Sequence, residues 1–502
     1  MFRSLAADKD AYITNKIVDS VRAVSGNTGI AGSIDLFKLY GITVITSGSS
    51  SVPQKEISRA LIHFDLAEIK NLFNQNRIDI THPSFKCYIK LCDVYGGQTT
   101  PNNFSVSIFP LSASFDEGFG KDVSYYADKD KCNFISSSKD SKWFVTGCGL
   151  ACFSTGSGDY ITSSLEIANT KKTQFFAKGD EDLLVEVTDI VSATIKNDLP
   201  DQGFRISFDE SLENDNYTYF VKRFGSRHAY DYDKRPKLLV KFNDSIQDDS
   251  ANFYLDKNSN LFLYNYVDGQ LTNLMSASSE VTGSNSIILE LKTEVSGVGN
   301  YSLYYTGSQH SIGINFISGV YSVPVTAGLT DANIKSYFET SGSVKFTPIW
   351  KSLDGTLSYV TGDRLTAFGP SRLTQRLSPR RYSINVLGIN EEYQHNEDVV
   401  LRVNIFDENN PQIKAQRLPI EIPGIVIKKS YYGIRDIATG KYAVPIDDVH
   451  SSTLLSSDGK GMYLTFNTSA LNSLRTYTID ITLKIDGMSH HYQNVSVPFR
   501  IK

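Results

Sequence analysis

The sequence predicts an all-β protein: an N-terminal jelly-roll-like β-sandwich followed by further β-sandwich domains, the last of them immunoglobulin-like. Three observations predict it. The 502-residue chain is too long for one ordinary core at roughly 100 to 200 residues per domain. It holds 28 Tyr and 28 Phe against 4 Met, a bias that suits pleated, half-buried surfaces better than helix stripes. Finally, runs of four to eight β-prone residues recur between clusters of Gly, Ser, Asn and Asp, the pattern of sandwiches and barrels.

The first domain is expected over 1–245. Its strands include 105–109 (SVSIF) and 203–208 (GFRISF), and it closes on 238–242 (LLVKF) before the acidic, polar stretch 244–250. The second, 246–378, carries strands at 261–266 (LFLYNY) and 286–291 (SIILEL). The basic, proline-containing stretch 371–381 (SRLTQRLSPRR) reads as a linker into the third domain, 379–502. There, strands at 383–387, 399–405, 477–485 and 495–499 recur about every ten residues, spacing that suits an immunoglobulin-like sandwich. This region has neither Cys nor Trp, so no Cys/Trp/Cys signature supports a true immunoglobulin domain. The strand 477–485 (YTIDITLKI) alternates almost without error, which predicts one buried and one wet face. Helical periodicity is confined to connectors at 67–77, 189–196 and 331–339.

Charge and patterning exclude several functions. The formal net charge is −5, and no run of Lys or Arg supplies a local field for a phosphate backbone, so nucleic acid is not an expected partner. No stretch of eighteen apolar residues is present, so neither a spanning helix nor a membrane partner is expected. The opening residues, with Arg3, Asp8, Lys9 and Asp10, form no apolar h-region, and the expectation is a chain made in a cytosol. The five cysteines, Cys87, Cys92, Cys132, Cys148 and Cys152, are odd in number and confined to the first third. They read as reduced core thiols, and neither close pair has the knuckle spacing that zinc would take.

Candidate sites are few. His490 and His491 are neighbours on an alternating stretch, so they point to opposite faces and do not share a metal. His63 lies within a strand and reads as a hydrogen-bonded group at a sheet surface, with a pH-sensitive role as the alternative. The acidic loop 116–122 (DEGFGKD) with Asp128 and Asp130 offers oxygen ligands for Ca²⁺ but lacks EF-hand spacing, and reads as a solvated turn. No nucleophile elbow, phosphate loop or H-E-x-x-H pair anchors a catalytic reading, and Gly156-Ser157-Gly158 sits in a loop. No cofactor or metal is expected. What remains is a cluster of aromatic and basic residues, Tyr217, Tyr219, Arg223, Arg227, Tyr230, Tyr232 and Arg235, a mixture used at protein interfaces and also for stacking sugars.

Three motifs carry a family resemblance. Residues 58–66 (SRALIHFDL) resemble the "RALIxFDL" strand of DNRLRE-type domains, which are related to family-96 carbohydrate-binding modules. Residues 184–191 (LVEVTDIV) resemble the "DVT" strand, and 224–228 (FGSRH) with 235–240 (RPKLLV) resemble the closing "SRE…PxL" element, although His228 stands where the family has glutamate. The stretch 222–236 is also similar to segments of virion proteins of tailed bacteriophages. The resemblance implies a jelly-roll module that builds fibres or binds sugars, and nothing catalytic. The expected function is therefore a non-enzymatic structural component of a tailed-phage virion: a neck, collar, tail or fibre-associated protein, present in multiple copies and docking on other virion proteins. The alternative is a carbohydrate-binding adhesion protein that recognises surface glycans.

Overall fold

The computed structural model describes residues 1–47, 50–97, 100–127, 130–154, 156–295, 299–369, 381–408, 424–485 and 487–502. Asp128 and residues 371–380 of the expected linker lie outside them. The chain forms two compact units, one of residues 3–71 and 85–241, the other of residues 1–2, 72–84 and 242–502. The fold is all-β. Among the described residues the α-helices are short: α1 (Ala67–Asn74), α2 (Thr188–Ile195), α3 (Glu210–Asn214) and α4 (Ala332–Ser341). Three sit where helical periodicity predicts a connector, and α3 is unforeseen.

The first unit is built on a ten-stranded sheet. Its strands are β1 (Phe2–Thr14), β2 (Ser33–Ser47), β3 (Ser50–Phe64), β4 (Lys86–Leu91), β5 (Phe104–Pro110), β6 (Lys172–Phe176), β7 (Leu183–Glu186), β8 (Phe204–Phe208), β9 (Tyr219–Gly225) and β10 (Lys237–Lys241). The order is β6-β5-β8-β3-β1-β10-β4-β7, with β2 branching from β3 and β9 pairing β2. The two ends of this path, β6 and β7, are consecutive in sequence. Gln174 joins them: its side-chain amide donates to the Asp182 carbonyl at 2.8 Å, and its side-chain oxygen accepts from the Leu184 N–H at 2.7 Å. The sheet thus rolls into a jelly-roll-like double layer, with a side chain completing the ladder that the backbone leaves open. Between the layers Phe176 stacks on Phe104 at 5.0 Å and meets Phe224 at 6.3 Å, while Phe208 meets Phe104 edge-on. All four are at most 1% exposed.

Residues 58–64, the heart of the "RALIxFDL" match, lie in β3 between β1 and β8. Ala60, Leu61 and Ile62 are all buried, so both faces are covered. One face is covered by an excursion, residues 111–171, whose Leu111, Phe115 and Trp143 pack with Leu61, Ala11 and Ile13 in a satellite core. Asp159 organises that excursion by accepting from the N–H groups of Phe144, Val145 and Leu150.

In the second unit, strands β11 (Ser259–Tyr264), β12 (Ile287–Val295), β13 (Gly299–Ile312), β14 (Asn315–Val325), β15 (Ser343–Ser352), β16 (Ser358–Thr361) and β17 (Leu365–Phe368) form a seven-stranded antiparallel sheet. Residues 299–307 of β13 pair with β12, whereas Ser308 and the residues beyond it pair with β14. The bend falls at Gly307, where a Cβ would sit 2.2 Å from Val323 Cγ2, so only glycine lets the sheet fold there. The fold encloses Phe253, Leu289, Tyr321, Phe346 and Trp350, with Ile334 of α4 packed in.

Residues beyond 381 form a two-sheet sandwich. Strands β18 (Tyr382–Leu387), β19 (Glu392–Tyr393), β20 (Asp398–Asp407), β21 (Ser430–Asp436), β22 (Tyr442–Val444), β23 (Ser456–Asp458), β24 (Gly461–Asn467), β25 (Thr476–Ile485), β26 (Met488–Tyr492) and β27 (Phe499–Ile501) divide into one sheet ordered β18-β20-β24-β23 and a second ordered β19-β27-β25-β21-β22 with β26 on β25. Setting β19 aside as an offshoot of the first strand, these orders are the A-B-E-D and G-F-C arrangements of the immunoglobulin fold. Tyr393, Phe466 and Phe499 fill the space between the sheets. Tyr477, at the start of β25, bonds back through its hydroxyl to the backbone of Asn472, accepting at 2.7 Å and donating at 3.2 Å. That is the tyrosine corner found at the start of the sixth strand of such sandwiches.

Two details differ from expectation. Residues 495–498 are not a strand, because Pro498 has no N–H to donate; β26 and β27 are two pieces of one edge, bridged by Ser496 Oγ accepting from the Ile479 N–H at 2.9 Å. The polar face of β25 is not wet: Thr478 and Asp480 are buried, the latter beneath Arg435, Tyr442 and the Asn494 N–H.

The segment after residue 245 is stitched to this sandwich. The Ile246 carbonyl accepts from the Ser457 N–H and the Asp248 N–H donates to the Ser457 carbonyl, which covers the exposed edge of β23. Burial pushes the Asp248 carboxyl up to about 7, with Asp458 and Asp249 adding repulsion against the hydrogen bonds from Ser250. An unfolded aspartate titrates near 3.9, so between about pH 4 and 7 the folded chain binds the extra proton and stability falls as pH rises, by on the order of 1 kcal/mol per unit. Thermal melts from pH 5 to 8 will show this slope. Asp248→Asn, which keeps the oxygen that accepts from Ser250, will flatten it.

Candidate docking surface

The aromatic and basic residues singled out from sequence lie in the first unit, and the structure divides them. Arg223 faces Asp35 across the β9–β2 ladder and grips both carboxylate oxygens at 2.6 Å. Arg227 donates from Nε to Glu117 at 2.6 Å and from its backbone N–H to Asp10. The Ser-Arg-His element therefore anchors the acidic loop: Glu117 also lies 3.6 Å from His228 Nε2 and accepts from the Asp10 N–H. Burial pushes the Asp10 carboxyl up to about 7 against the Arg227 bond. Arg235 stacks over Tyr232 at 3.8 Å and donates to the Ala229 carbonyl. Tyr219 donates to Asp215 at 2.9 Å, and its phenol is pushed up to about 12 by burial and then by that carboxylate.

Exposed surface is left to Tyr217, Tyr230 and Tyr232. Tyr217 precedes β9 and the other two follow it, so a seven-residue strand of roughly 20 Å separates them. They do not make one patch. The other chemistry-bearing side chains are distributed as singles. His63 bridges Asp8 at 2.6 Å and Asp201 at 3.6 Å, which raises its pKa to about 9. His491 bonds Thr482 on the neighbouring strand, and Asp116 pairs Lys131. Cys87, Cys92, Cys132 and Cys148 are buried, and burial pushes the Cys148 thiol up to about 12, which disfavours the thiolate a metal needs. Among the described residues no cluster of three or more His, Cys, Asp or Glu could hold a metal ion.

Two lysines that sequence reasoning passed over are fully buried. Lys38 on β2 pairs with Asp215 and donates to the carbonyls of Asp215 and Tyr217 at 2.6 Å each. Lys222 on β9 bonds Asp93 and the carbonyls of Gly179 and Glu181. Each ammonium ties loops to the β2–β9 pair.

Sequence reasoning also missed an exposed apolar ribbon in this unit. β9 pairs β2 from Ser33 to Lys38, and β3 pairs it from Lys38 onward. Past a register shift between Tyr40 and Val44, β2 and β3 pair with each other alone, Val44 opposite Pro53 and Ile45 opposite Val52. On this two-stranded ribbon Ile42 is 68% exposed, Val44 48%, Ile45 51% and Val52 56%. Alternation puts Val44 on one face and Ile45 with Val52 on the other, so both faces are apolar and wet. The signal was present in residues 41–53 (GITVITSGSSSVP), where β-branched residues flank a Ser/Gly stretch and no residue is charged.

No family model matches the chain, and no curated protein matches it. Among solved structures the chain is similar to the N-terminal four immunoglobulin domains of Dscam1 isoform 6.9, at 9% identity over 60% of this chain and 58% of that one with a TM-score of 0.12. Isoform 8.4 aligns at 9% identity over 61% and 59% with a TM-score of 0.12. The chain spans less than two thirds of either structure, and superposition at that level carries no argument; the sandwich assignment rests on strand order and the tyrosine corner.

Proposed function

We propose that the chain is a non-enzymatic structural component of a tailed-phage virion, assembled in the host cytoplasm and fixed to other virion proteins by β-sandwich docking. The observation that carries this reading is the ribbon at 41–53. A two-stranded hairpin is marginal alone in water, and apolar side chains on both of its faces mark an interaction site. A neighbouring subunit that clasps the ribbon would bury Ile42, Val44, Ile45 and Val52 at about 25 cal/mol per Å² of apolar surface removed from water. The resemblance of residues 222–236 to phage virion segments supports the same assignment.

The test is cryo-electron microscopy and mass spectrometry of particles from a lysate containing this protein and its Ile45→Lys/Val52→Glu variant, whose new charges face each other as an opposite pair. The wild type is expected at a fixed position on the particle, with the ribbon covered. The variant, which changes only exposed side chains, is expected to melt like the wild type and to be lost from the particle. A wild-type protein found free in the lysate would overturn the proposal.

A further inference from the structure

The excursion 111–171 meets β8 and α3 over a cleft of about 390 Å³, within the size range of small-molecule sites. Two arginines line it, and their situations differ. Arg59 holds both oxygens of Glu213, at 3.0 and 2.6 Å, and donates its remaining Nη to the Gly147 carbonyl at 2.6 Å. Arg205 is 4% exposed, and its Nε has no hydrogen-bond partner among the described residues. Its ion-pair partner, Glu213, stands 3.8 Å from Nη2, beyond hydrogen-bonding reach, with both oxygens already taken by Arg59. The guanidinium lies over the ring of Tyr160 at 4.5 Å, with Phe109 on the same side at 5.9 Å, and Arg205 lines the cleft. Burial, and then the charge of Arg59, lower the pKa of Arg205. Native proteins rarely leave such a buried donor without a partner. At the rim Lys171 is paired with Asp209, while Glu210 is exposed.

We propose that this cleft binds the oxyanion group, carboxylate or phosphate, of a small ligand, with the edge N–H groups of Arg205 donating to its oxygens and the side chains of Asn169 and Asn214 lining its mouth. A planar guanidinium offers paired, parallel donors that fit either anion. The cleft shares no residue with the 41–53 ribbon, so it stands or falls apart from the docking reading.

The experiment titrates the full-length, ¹⁵N-labelled protein with sodium acetate and, separately, with sodium phosphate at ionic strength held constant with chloride, a sphere that cannot take two parallel donors. The arginine Nε–Hε resonances are followed. A saturable shift of one buried resonance is expected, and the anion with the lower midpoint identifies the source of the group. Arg205→Met is expected to abolish saturation and to raise the melting temperature, because it removes a buried charge whose Nε makes no hydrogen bond among the described residues. Glu210→Gln, an exposed change that leaves folding intact, is expected to tighten binding about threefold by removing a rim charge. No saturable shift in the wild type with either anion, or an unchanged shift in Arg205→Met, would overturn the proposal. If Arg205→Met does not fold, the wild-type and Glu210→Gln titrations decide it.

Discussion

Lys222→Met will lower the stability of the first unit by about 3–5 kcal/mol, the range for removing one partner of a buried ion pair. The ammonium is fully buried and has three acceptors, Asp93 and the carbonyls of Gly179 and Glu181. Methionine reproduces the stem and fills the space between Phe176 and Phe224, whose ring centres lie 5.1 and 4.9 Å from Nζ. What it cannot do is satisfy the acceptors, and Asp93 is left as a largely buried carboxylate without its cation. The loss should lower the melting transition of this unit by roughly 10 °C, at about 2–4 °C per kcal/mol for a domain of this size. Lys335→Met is the comparison. Lys335 pairs with Glu339 at 4.0 Å with both side chains mostly exposed, and its loss should cost less than about 0.5 kcal/mol. Equal melting of the two variants would show that Lys222 contributes no more than a surface charge.

Much of the architecture was legible in the sequence. The strands at 399–405 and 477–485 alternate, and their pairing through neighbours in a two-sheet sandwich follows from spacing and short turns. The buried charges were not legible. Asp480, Lys38, Lys222 and Arg59 occupy positions that a binary pattern assigns to solvent, because period-two alternation says which face a side chain takes and not what later covers that face. In β25 the cover is Arg435 and Tyr442, set beside Asp480 by β21 and β22; in β9 it is the turn at 179–181, distant by about forty residues.

The same blindness explains the candidate surface. Arg223 and Arg227 look like interface residues because exposed arginine usually is one, but Asp35 and Glu117, about 190 and 110 residues earlier in the chain, consume them. The ribbon at 41–53 carried the opposite signal, β-branched residues on both faces of a short hairpin, which a solvated ribbon does not need.

Glu213→Ala will destabilise the first unit by a comparable amount, about 3–5 kcal/mol, and in a way that an added anion can partly reverse. Among the described residues Glu213 is the carboxylate that pairs with both guanidinium groups, and its side chain is 8% exposed beside Arg59 at 11% and Arg205 at 5%. Without it two largely buried cations share a cleft in which the exposed Glu210 at the rim is the lining carboxylate left. Phosphate or acetate entering that space restores what the carboxylate supplied, so the melting temperature of Glu213→Ala should rise with anion concentration more steeply than that of the wild type, following RT ln(1 + [L]/Kd). Adding Arg205→Met to Glu213→Ala should recover part of the loss, because it removes one of the two repelling charges, with a coupling of about 0.5–3 kcal/mol in a double-mutant cycle. If Glu213→Ala/Arg205→Met is no more stable than Glu213→Ala, the charge of Arg205 is not what Glu213 offsets, and the cost lies in Arg59 and the packing of α3 alone.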